Sequence, residues 1–216
     1  MSGEVESVKS VERAMAILNC FSLENPELGI TELSKKLNVS KSTIHRLITS
    51  MQKHGFITQD KTTQRYKLGF GFLRLSEIVL KNLDIRQIAL PILQNLRNKT
   101  RETVGLNIIS NYSRVCIEKA ESFKDLRWFI ELGQPLPLYA GASGKTLLAF
   151  QDEEFIEEVL NKSIIKPLTE KTVTDKELIR QELRKIKKQG YCITSGEREP
   201  GATSVSAPIW SHNHKV

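Results

Sequence analysis

Apolar residues recur at intervals of three and four in three segments near the start of the chain, which is the spacing of one helix face. The first segment runs from Val8 to Phe21, with its stripe at Val11, Ala14, Met15, Ile17, Leu18 and Phe21. The next two carry apolar residues at Ile30, Leu33 and Leu37, and at Val39, Ile44, Leu47, Ile48 and Met51. These patterns predict three helices whose apolar faces share one small core.

A tight turn is predicted between the second and third helices. Asn38 stands where such a turn often needs a positive φ, which Asn tolerates better than most residues. Ser40 is a natural N-cap, because its hydroxyl can accept a hydrogen bond from a free amide at a helix start. The segment 56–69 alternates around a polar turn and predicts a β-hairpin with Tyr66 and Leu68 packed inward. Together these elements predict a winged helix-turn-helix, which places its third helix in the DNA major groove.

The exposed face of the third helix carries candidate DNA contacts. Its polar residues are Lys41, Ser42, Thr43, His45, Arg46 and Thr49. Arg46 is expected to read base edges, together with Thr43 or Lys41, because a guanidinium can pair with both acceptors of guanine. Ser42 and Lys53 are expected at phosphates, where contacts position a protein without reading the base sequence.

The hairpin extends these contacts, since its polar tip follows the third helix directly. Lys61, Gln64 and Arg65 are expected at the tip of the wing, in contact with phosphate or the adjacent minor groove. From Gly29 to Gly69, eight Lys or Arg residues stand against two acids, and this excess accounts for most of the chain's net charge of +7. Such an excess favours a polyanionic partner, although on many small domains it is only a solvated face.

About two-thirds of the 216 residues follow the hairpin, which is enough for a second folded domain. Helices are predicted over 71–82 and 84–100, the second capped by Asp84 and kinked or broken at Pro91. The remaining predicted elements are strands over 103–109, 114–120 and 126–131, an extended segment over 132–138, helices over 142–150, 152–160 and 175–189, and strands over 191–194 and 204–209. This order predicts an α+β domain with an antiparallel sheet. The expected boundaries are a DNA-binding domain over 1–69, a linker helix over 70–83 and the second domain over 84–216.

Composition excludes several classes of protein. No apolar stretch approaches the roughly 20 residues of a membrane-spanning helix, and the polar N-terminus is unlike a signal peptide. The chain is therefore expected in the cytoplasm, without a membrane partner. Cys20, Cys116 and Cys192 lie far apart and include no Cys-x-x-Cys pair, so reduced thiols that pack in the core are expected.

Five strings appear in order along the chain: SVERAMAIL at 10–18, KSTIHRL at 41–47, RYKLG at 65–69, PLPLYAGASGKTLLA at 135–149 and EREPG at 197–201. Together they resemble the IclR family of bacterial transcription regulators. The resemblance implies a non-enzymatic regulator with a winged helix-turn-helix, a linker helix and a GAF-like or profilin-like domain that binds a small metabolite. It also implies a homodimer or homotetramer on a palindromic double-stranded operator, as for a repressor of a catabolic operon, and no cofactor.

The segment around Gly141 is the candidate effector site. Residues 142–146 partly match a phosphate-binding P-loop, but Tyr139 occupies its first glycine position, so nucleotide hydrolysis is not expected. Instead, Gly141 and Ala142 are expected to leave room for a ligand, and Ser143 to open a helix whose N-terminal amides favour an anion. A carboxylate or sugar-acid effector fits this arrangement.

The resemblance also implies contacts from two later strands, where glyoxylate- and pyruvate-responsive relatives hold the ligand with an Asp and a Cys. Thr194 and Ser204 stand at these positions here. Hydroxyls can bind a carboxylate or sugar hydroxyls, but this change argues against a two-carbon acid. The family continues beyond the position of Val216 with a further strand and a helix, so an unpaired sheet edge and an incomplete pocket wall are expected.

Other conspicuous side chains have simpler explanations. His212 and His214 form a His-x-His, but no third ligand cluster is visible, so a metal site is not expected. His54 is expected at a helix C-terminus, where partial positive charge suits the dipole. Trp128 and Trp210 are expected in the core or in a pocket wall.

Two alternative functions remain open at this point. A catalyst built on Cys116 or Cys192 needs a basic neighbour to lower the thiol pKa, and neither residue has one in sequence. A winged helix used for protein contact is the other alternative. It is distinguished by salt, because binding to duplex DNA weakens steeply as salt rises.

Overall fold

The computed structural model describes residues 7–124, 130–213 and 216, which form parts of two compact units, Met1–Asn82 and Leu83–Val216. The first unit contains α1 (Lys9–Leu18), α2 (Ile30–Leu37), α3 (Lys41–Lys53), β1 (Ile57–Gln59), β2 (Tyr66–Leu68) and α4 (Gly71–Lys81). The second contains α5 (Asp84–Thr100), β3 (Val104–Ser110), β4 (Ser113–Ala120), β5 (Pro135–Pro137), α6 (Ala142–Ala149), α7 (Glu153–Lys162), α8 (Lys176–Gln189), β6 (Cys192–Ser195) and β7 (Thr203–Ser206). The predicted mixture of helices and antiparallel strands is confirmed.

The helices and the hairpin of the first unit enclose one apolar core. Its buried residues are Ile17, Cys20, Leu28, Leu33, Ile44, Ile48, Met51, Ile57 and Tyr66. The prediction that Val11 and Met15 join this core is wrong, since each is 54% exposed. Ile17 marks the buried side of α1, and at 100° per residue Val11 and Met15 lie about 120° and 160° away from it, on the outward side of the helix.

Local backbone chemistry sets the turn before α3, as predicted. Asn38 adopts φ 51°, and the Ser40 hydroxyl accepts a hydrogen bond from the Thr43 amide at 3.3 Å. In the antiparallel β1–β2 hairpin, Tyr66 is buried, but Leu68 is 46% exposed, so its predicted inward packing is wrong. Its cross-strand partner Ile57 takes the buried place at that pair.

The second unit begins with α5 packed on a three-stranded antiparallel sheet of order β3-β4-β5. Ala89 and Leu93 of the helix share a buried cluster with Leu106, Ile117 and Ala120 of the strands. The helix runs past Pro91 without a break, so of the predicted kink or break the break is wrong; Ala89 and Leu93, two residues away on either side, are buried and hold this turn despite the missing amide hydrogen. Asp84 is the first helical residue rather than the N-cap, and the cap residue, Leu83, makes no side-chain hydrogen bond.

A larger cluster joins α6, α7 and α8 to β6. Asp152 and Asp175 cap α7 and α8 by accepting the amides of Phe155 and Leu178, each at 2.8 Å. Gly190 ends α8 at φ 84°, a left-handed conformation that glycine adopts without strain. The predicted helices of this region are therefore confirmed, and β6 pairs with β7 as an antiparallel hairpin.

The last strand is shorter than predicted, and the tryptophan after it lies outside the core. β7 ends at Ser206, earlier than the predicted 209. Trp210 is 52% exposed, with its ring edge-on to Phe150 at 5.1 Å between centroids, so a core position is wrong. The strand predicted over 126–131, together with Trp128 and His214, lies wholly or partly outside the described residues. Within those residues, no helix is long and apolar enough to cross a membrane, and no cluster of His, Cys, Asp and Glu could hold a metal.

Candidate nucleic-acid interface and effector site

The polar face of α3 is open to solvent, whereas its opposite face fills the core through Ile44, Ile48 and Met51. Four of the six candidate residues on this helix are exposed, namely Lys41, Ser42, His45 and Arg46. The other two, Thr43 and Thr49, are partly buried. The Thr43 hydroxyl lies 2.9 Å from that of Ser40, and the Thr49 hydroxyl donates to the His45 carbonyl at 2.9 Å. The side chains of Lys41 and Arg46 thus extend into solvent from a helix whose other face is fixed in the core.

Lys53 is exposed at the last position of α3, and His54 is the C-cap, as predicted. A cation in the last helical turn interacts favourably with the negative end of the helix dipole. The basic face therefore spans α3 from its first residue to its last.

Hydrogen bonds within the wing fix the shape of its tip. The Asp60 carboxylate accepts the Thr62 and Thr63 amides at 2.8 and 2.9 Å, and these bonds, that from Thr63 first, hold its pKa below the usual value. Gln64 adopts φ 58° and donates to the Lys61 carbonyl at 2.8 Å. Lys61 and Gln64 are both exposed at this tip, as predicted.

The side chain of Arg65, which directly follows Gln64 in the turn, reaches back to α2 instead of extending outward with Lys61 and Gln64. Its Nη2 donates to Glu32 Oε2 at 2.8 Å and to the Glu27 carbonyl at 2.9 Å. Glu32 also accepts the Gly29 amide at 2.7 Å, in a capping box at the start of α2. The guanidinium therefore joins the wing to α2, a partnership across the chain that local sequence did not reveal.

In the second unit, Gly141 is the N-cap of α6 at φ 80°, followed by buried Ala142 and partly buried Ser143. The Gly141 amide donates to Glu197 Oε2 at 2.6 Å, so the chain's own carboxylate occupies the start of this helix. One amide at the predicted anion site, that of Gly141, is therefore already taken by a carboxylate of the chain itself.

A buried lysine completes this arrangement. Lys145, only 1% exposed, forms ion pairs with Glu197 and, at 2.7 Å, with Glu182. Sequence reasoning missed both Lys145 and Glu197 as partners, although each belongs to one of the five quoted strings. Their pairing links α6 to the loop before β7.

The two hydroxyl residues predicted for effector binding face each other across β6 and β7. Thr194 is opposite Ser204, and their hydroxyl oxygens lie 3.1 Å apart. Thr194 is partly buried and Ser204 is exposed. The α6 helix packs beside this hairpin, where the Thr146 hydroxyl donates to the Ser206 carbonyl at 3.3 Å.

Two arginines that the sequence reasoning did not single out lie close to this region. Arg114 on β4 is 3% exposed, and its Nη1 donates to Asn107 Oδ1 at 2.5 Å. Arg198 lies against Gly141, since a Cβ on that glycine would come within 2.6 Å of Arg198 Cδ. Arg114 is one of three charged residues on β4, together with Glu118 and Lys119, so no sequence signal distinguished it.

All three cysteines are buried and unpaired. Burial raises the pKa of the Cys116 thiol, and it raises the pKa of Cys192 to about 11. A thiol with a raised pKa is a poor nucleophile near neutral pH, because the thiolate is the reactive form. This environment argues against a cysteine-based catalyst.

Comparisons with known proteins match both units. The family model of the bacterial transcriptional regulator IclR C-terminal domain matches residues 77–216, and that of the IclR helix-turn-helix domain matches residues 10–61. The HTH-type transcriptional regulator XynR of Escherichia coli K12 is 34% identical over 97% of this chain and 83% of its own length.

Solved structures agree with the sequence matches. An IclR transcriptional regulator from Alicyclobacillus acidocaldarius is 28% identical with a TM-score of 0.82, over 98% of this chain and 85% of that one. An IclR homologue from Microbacterium hydrocarbonoxydans, solved with 4-hydroxybenzoate, is 26% identical with a TM-score of 0.79, over 96% and 85% of the two chains. The matched families and relatives are transcription regulators and not enzymes. This chain accordingly belongs to the IclR family of bacterial DNA-binding transcription regulators.

Proposed function

We propose that this regulator binds a palindromic operator as a homodimer and that a small organic acid controls its affinity for the DNA. The exposed basic face of α3, carried on a buried core, is the observation on which the DNA-binding half of this proposal depends. The acid-responsive half depends on the cluster of charged residues around the start of α6.

In the DNA complex, α3 lies in the major groove. Arg46 reads base edges with Thr43 or Lys41, and its guanidinium is well suited to the paired acceptors of guanine. Ser42 and Lys53 contact phosphates on either side of the groove, and His45 and Thr49 complete the surface. Solvent exposure of the lysine and arginine side chains supports these roles.

The wing supplies further contacts outside the major groove. Lys61 and Gln64 at its tip meet a phosphate or the adjacent minor groove. Arg65 acts as a positioning residue in this proposal, because its guanidinium is engaged by Glu32 and the Glu27 carbonyl. The internal hydrogen bonds of Asp60 support a tip that is shaped before DNA arrives.

The effector is a carboxylate or sugar acid that binds beside Gly141, Ala142 and Ser143, with Thr194 and Ser204 as hydroxyl partners. The ligand in the Microbacterium hydrocarbonoxydans homologue, 4-hydroxybenzoate, is an acid, which supports this class. An effector that binds one arrangement of the dimer better than another shifts the population toward it. That shift changes the spacing of the two recognition helices relative to the operator half-sites.

Dimer formation is proposed through α4, in which none of the residues is buried within one chain. Its exposed apolar residues are Leu73, Leu75, Ile78 and Val79. Exposed apolar faces of this kind mark interaction surfaces, and a second copy brings the same face. Val11 and Met15 on α1 add exposed apolar area to the same unit.

A DNA-release titration tests the acid-responsive half. A duplex selected by the protein from a random library is bound, and release is measured while D-gluconate, D-glucuronate and 4-hydroxybenzoate are added, with sodium chloride at equal ionic strength as the control. We expect at least one acid to change the affinity for DNA beyond the effect of chloride. If every acid matches chloride, an organic-acid effector is contradicted, while DNA binding itself is unaffected.

A further inference from the structure

Arg114 is a buried cation whose hydrogen bonding is incomplete. Its side chain is 3% exposed, Asn107 accepts from Nη1, and Nε lies buried without a hydrogen-bond partner in the described residues. Burying a charge is costly unless it is paired and hydrogen-bonded. Asn107 is neutral, so it orients the guanidinium without neutralising it.

A second guanidinium makes this environment more positive. Arg198 contributes to lowering the pKa of Arg114, which falls to about 10 mainly because of burial. Burial also lowers the pKa of Arg198, partly offset by Glu199. Arg198 packs on Gly141 at the start of α6, where a helix dipole also favours negative charge, and its own charge acts on Arg114.

Other cations with little exposure in this unit are paired with acids. Lys145 meets Glu197 and Glu182, and Arg86 lies 2.8 Å from Glu118. Within the described residues, neither Arg114 nor Arg198 forms an ion pair with a carboxylate. Arg114 and Arg198 therefore differ from those cations, because neither has a carboxylate partner among the described residues.

We infer that Arg114 and Arg198 are the anion-binding residues of the effector site and hold the carboxylate of an organic acid between their guanidinium groups. A guanidinium presents parallel N–H donors that match the two oxygens of a carboxylate. This inference rests on the proposed effector role. The two guanidinium groups take the place of the α6 amides as the anion contact, since Glu197 already accepts from Gly141.

Thermal unfolding of the full chain with matched acid and neutral probes tests the inference. The pairs are sodium acetate and acetamide, D-gluconate and D-glucitol, and 4-hydroxybenzoate and 4-hydroxybenzamide, each at constant ionic strength set with chloride. We expect an acid to raise the midpoint of the wild-type chain while its neutral counterpart does not. In Arg114→Gln and Arg198→Gln the apparent affinity for that acid falls at least about tenfold, because one partner of a buried charge pair is lost.

Arg184→Gln is the matched control, since it removes one arginine from an exposed position of α8 in the same unit, and it retains the acid response. In chloride alone, Arg114→Gln has an unchanged or higher midpoint, because an incompletely bonded buried charge is removed. A lower midpoint with an intact acid response identifies Arg114 as structural and overturns the inference. So do equal shifts with each acid and its neutral counterpart, or a stronger shift with inorganic phosphate.

The outcome is separable from that of the effector proposal. A metabolite that changes DNA affinity equally in the wild type and in Arg114→Gln supports an effector role but overturns the arginine site. An acid that binds through both arginines without changing DNA affinity supports the site and contradicts the effector role.

Discussion

Arg65 Nη2 lies 2.8 Å from Glu32 Oε2, which joins the wing to the first turn of α2. The same Glu32 oxygen accepts the Gly29 amide at 2.7 Å. One carboxylate therefore both caps the helix and holds the arginine. Both side chains are substantially exposed, so the pair is a positioning device more than a source of stability.

If Arg65 positions the wing, Glu32→Gln and Arg65→Gln weaken DNA binding by similar, modest factors. Each change breaks the same ion pair, so the wing is no longer held to α2 through Arg65. Binding to a fixed duplex is measured over a range of salt concentrations, with Lys61→Gln as a comparison at the tip. We expect the slope of log affinity against log salt to fall by about one for Lys61→Gln and to stay unchanged for the other two.

The opposite pattern identifies Arg65 as a phosphate contact. In that case Arg65→Gln loses about one unit of salt slope, and Glu32→Gln binds DNA as well as the wild type or better.

The Glu32 carboxyl makes the stability of the first unit depend on pH. The Gly29 amide, and then Arg65, hold its pKa below the usual value, so the ionised form favours the folded state. This contribution is present above the unfolded-state pKa of about 4.3 and is lost as pH falls through the lower folded-state value. We expect the wild type to exceed Glu32→Gln in melting temperature near pH 6 and the difference to shrink as pH falls below the unfolded-state pKa. A difference that grows on acidification contradicts the assignment.

The Lys145–Glu197 pair should matter far more for stability than an exposed pair. Lys145→Met leaves the Glu197 carboxylate buried without its cation, and we expect a loss of about 3 to 5 kcal/mol in the free energy of unfolding. Lys162→Met breaks an exposed pair with Glu158 and is the matched control, with a much smaller loss. Urea unfolding measures both, and equal losses show that burial of the first pair carries no special weight.

The apolar face of α4 predicts the oligomeric state. Val79→Glu places a charge in the middle of that face, and we expect the dimer to dissociate at concentrations where the wild type remains associated. Glu77→Lys reverses a charge that lies, at 100° per residue, on the side of the helix away from Leu75 and Val79, and it leaves association intact. Sedimentation velocity separates the two results, and an associated Val79→Glu variant excludes this face as the dimer interface.

Features controlled by neighbouring residues were predictable from sequence. The positive φ of Asn38 and the cap at Ser40 depend on a few adjacent residues, and both match expectation. The amphipathic spacing of α3 likewise identified its buried side, because residues three and four apart share a helix face. Solvent exposure of Arg46 follows from the same spacing.

Features controlled by distant residues were not predictable in the same way. Arg65 reads locally as a cation at a hairpin tip, yet its partner Glu32 lies 33 positions earlier. Glu197 accepts a hydrogen bond from the Gly141 amide across 56 positions, and no local pattern indicated this contact. Leu68 satisfied the alternating pattern but is 46% exposed while its cross-strand partner Ile57 is buried, because burial also depends on which distant residues pack over each side chain.

Base reading by Arg46 is the most direct test of the account. Affinities of the wild type and Arg46→Ala are measured for a duplex selected by the wild type and for a scrambled duplex of equal length, at several salt concentrations. We predict that Arg46→Ala loses about 1 to 3 kcal/mol on the selected duplex and much less on the scrambled one, with steep salt dependence throughout. Equal losses on both duplexes, or wild-type binding that does not respond to salt, contradict the assignment of α3 as the recognition helix.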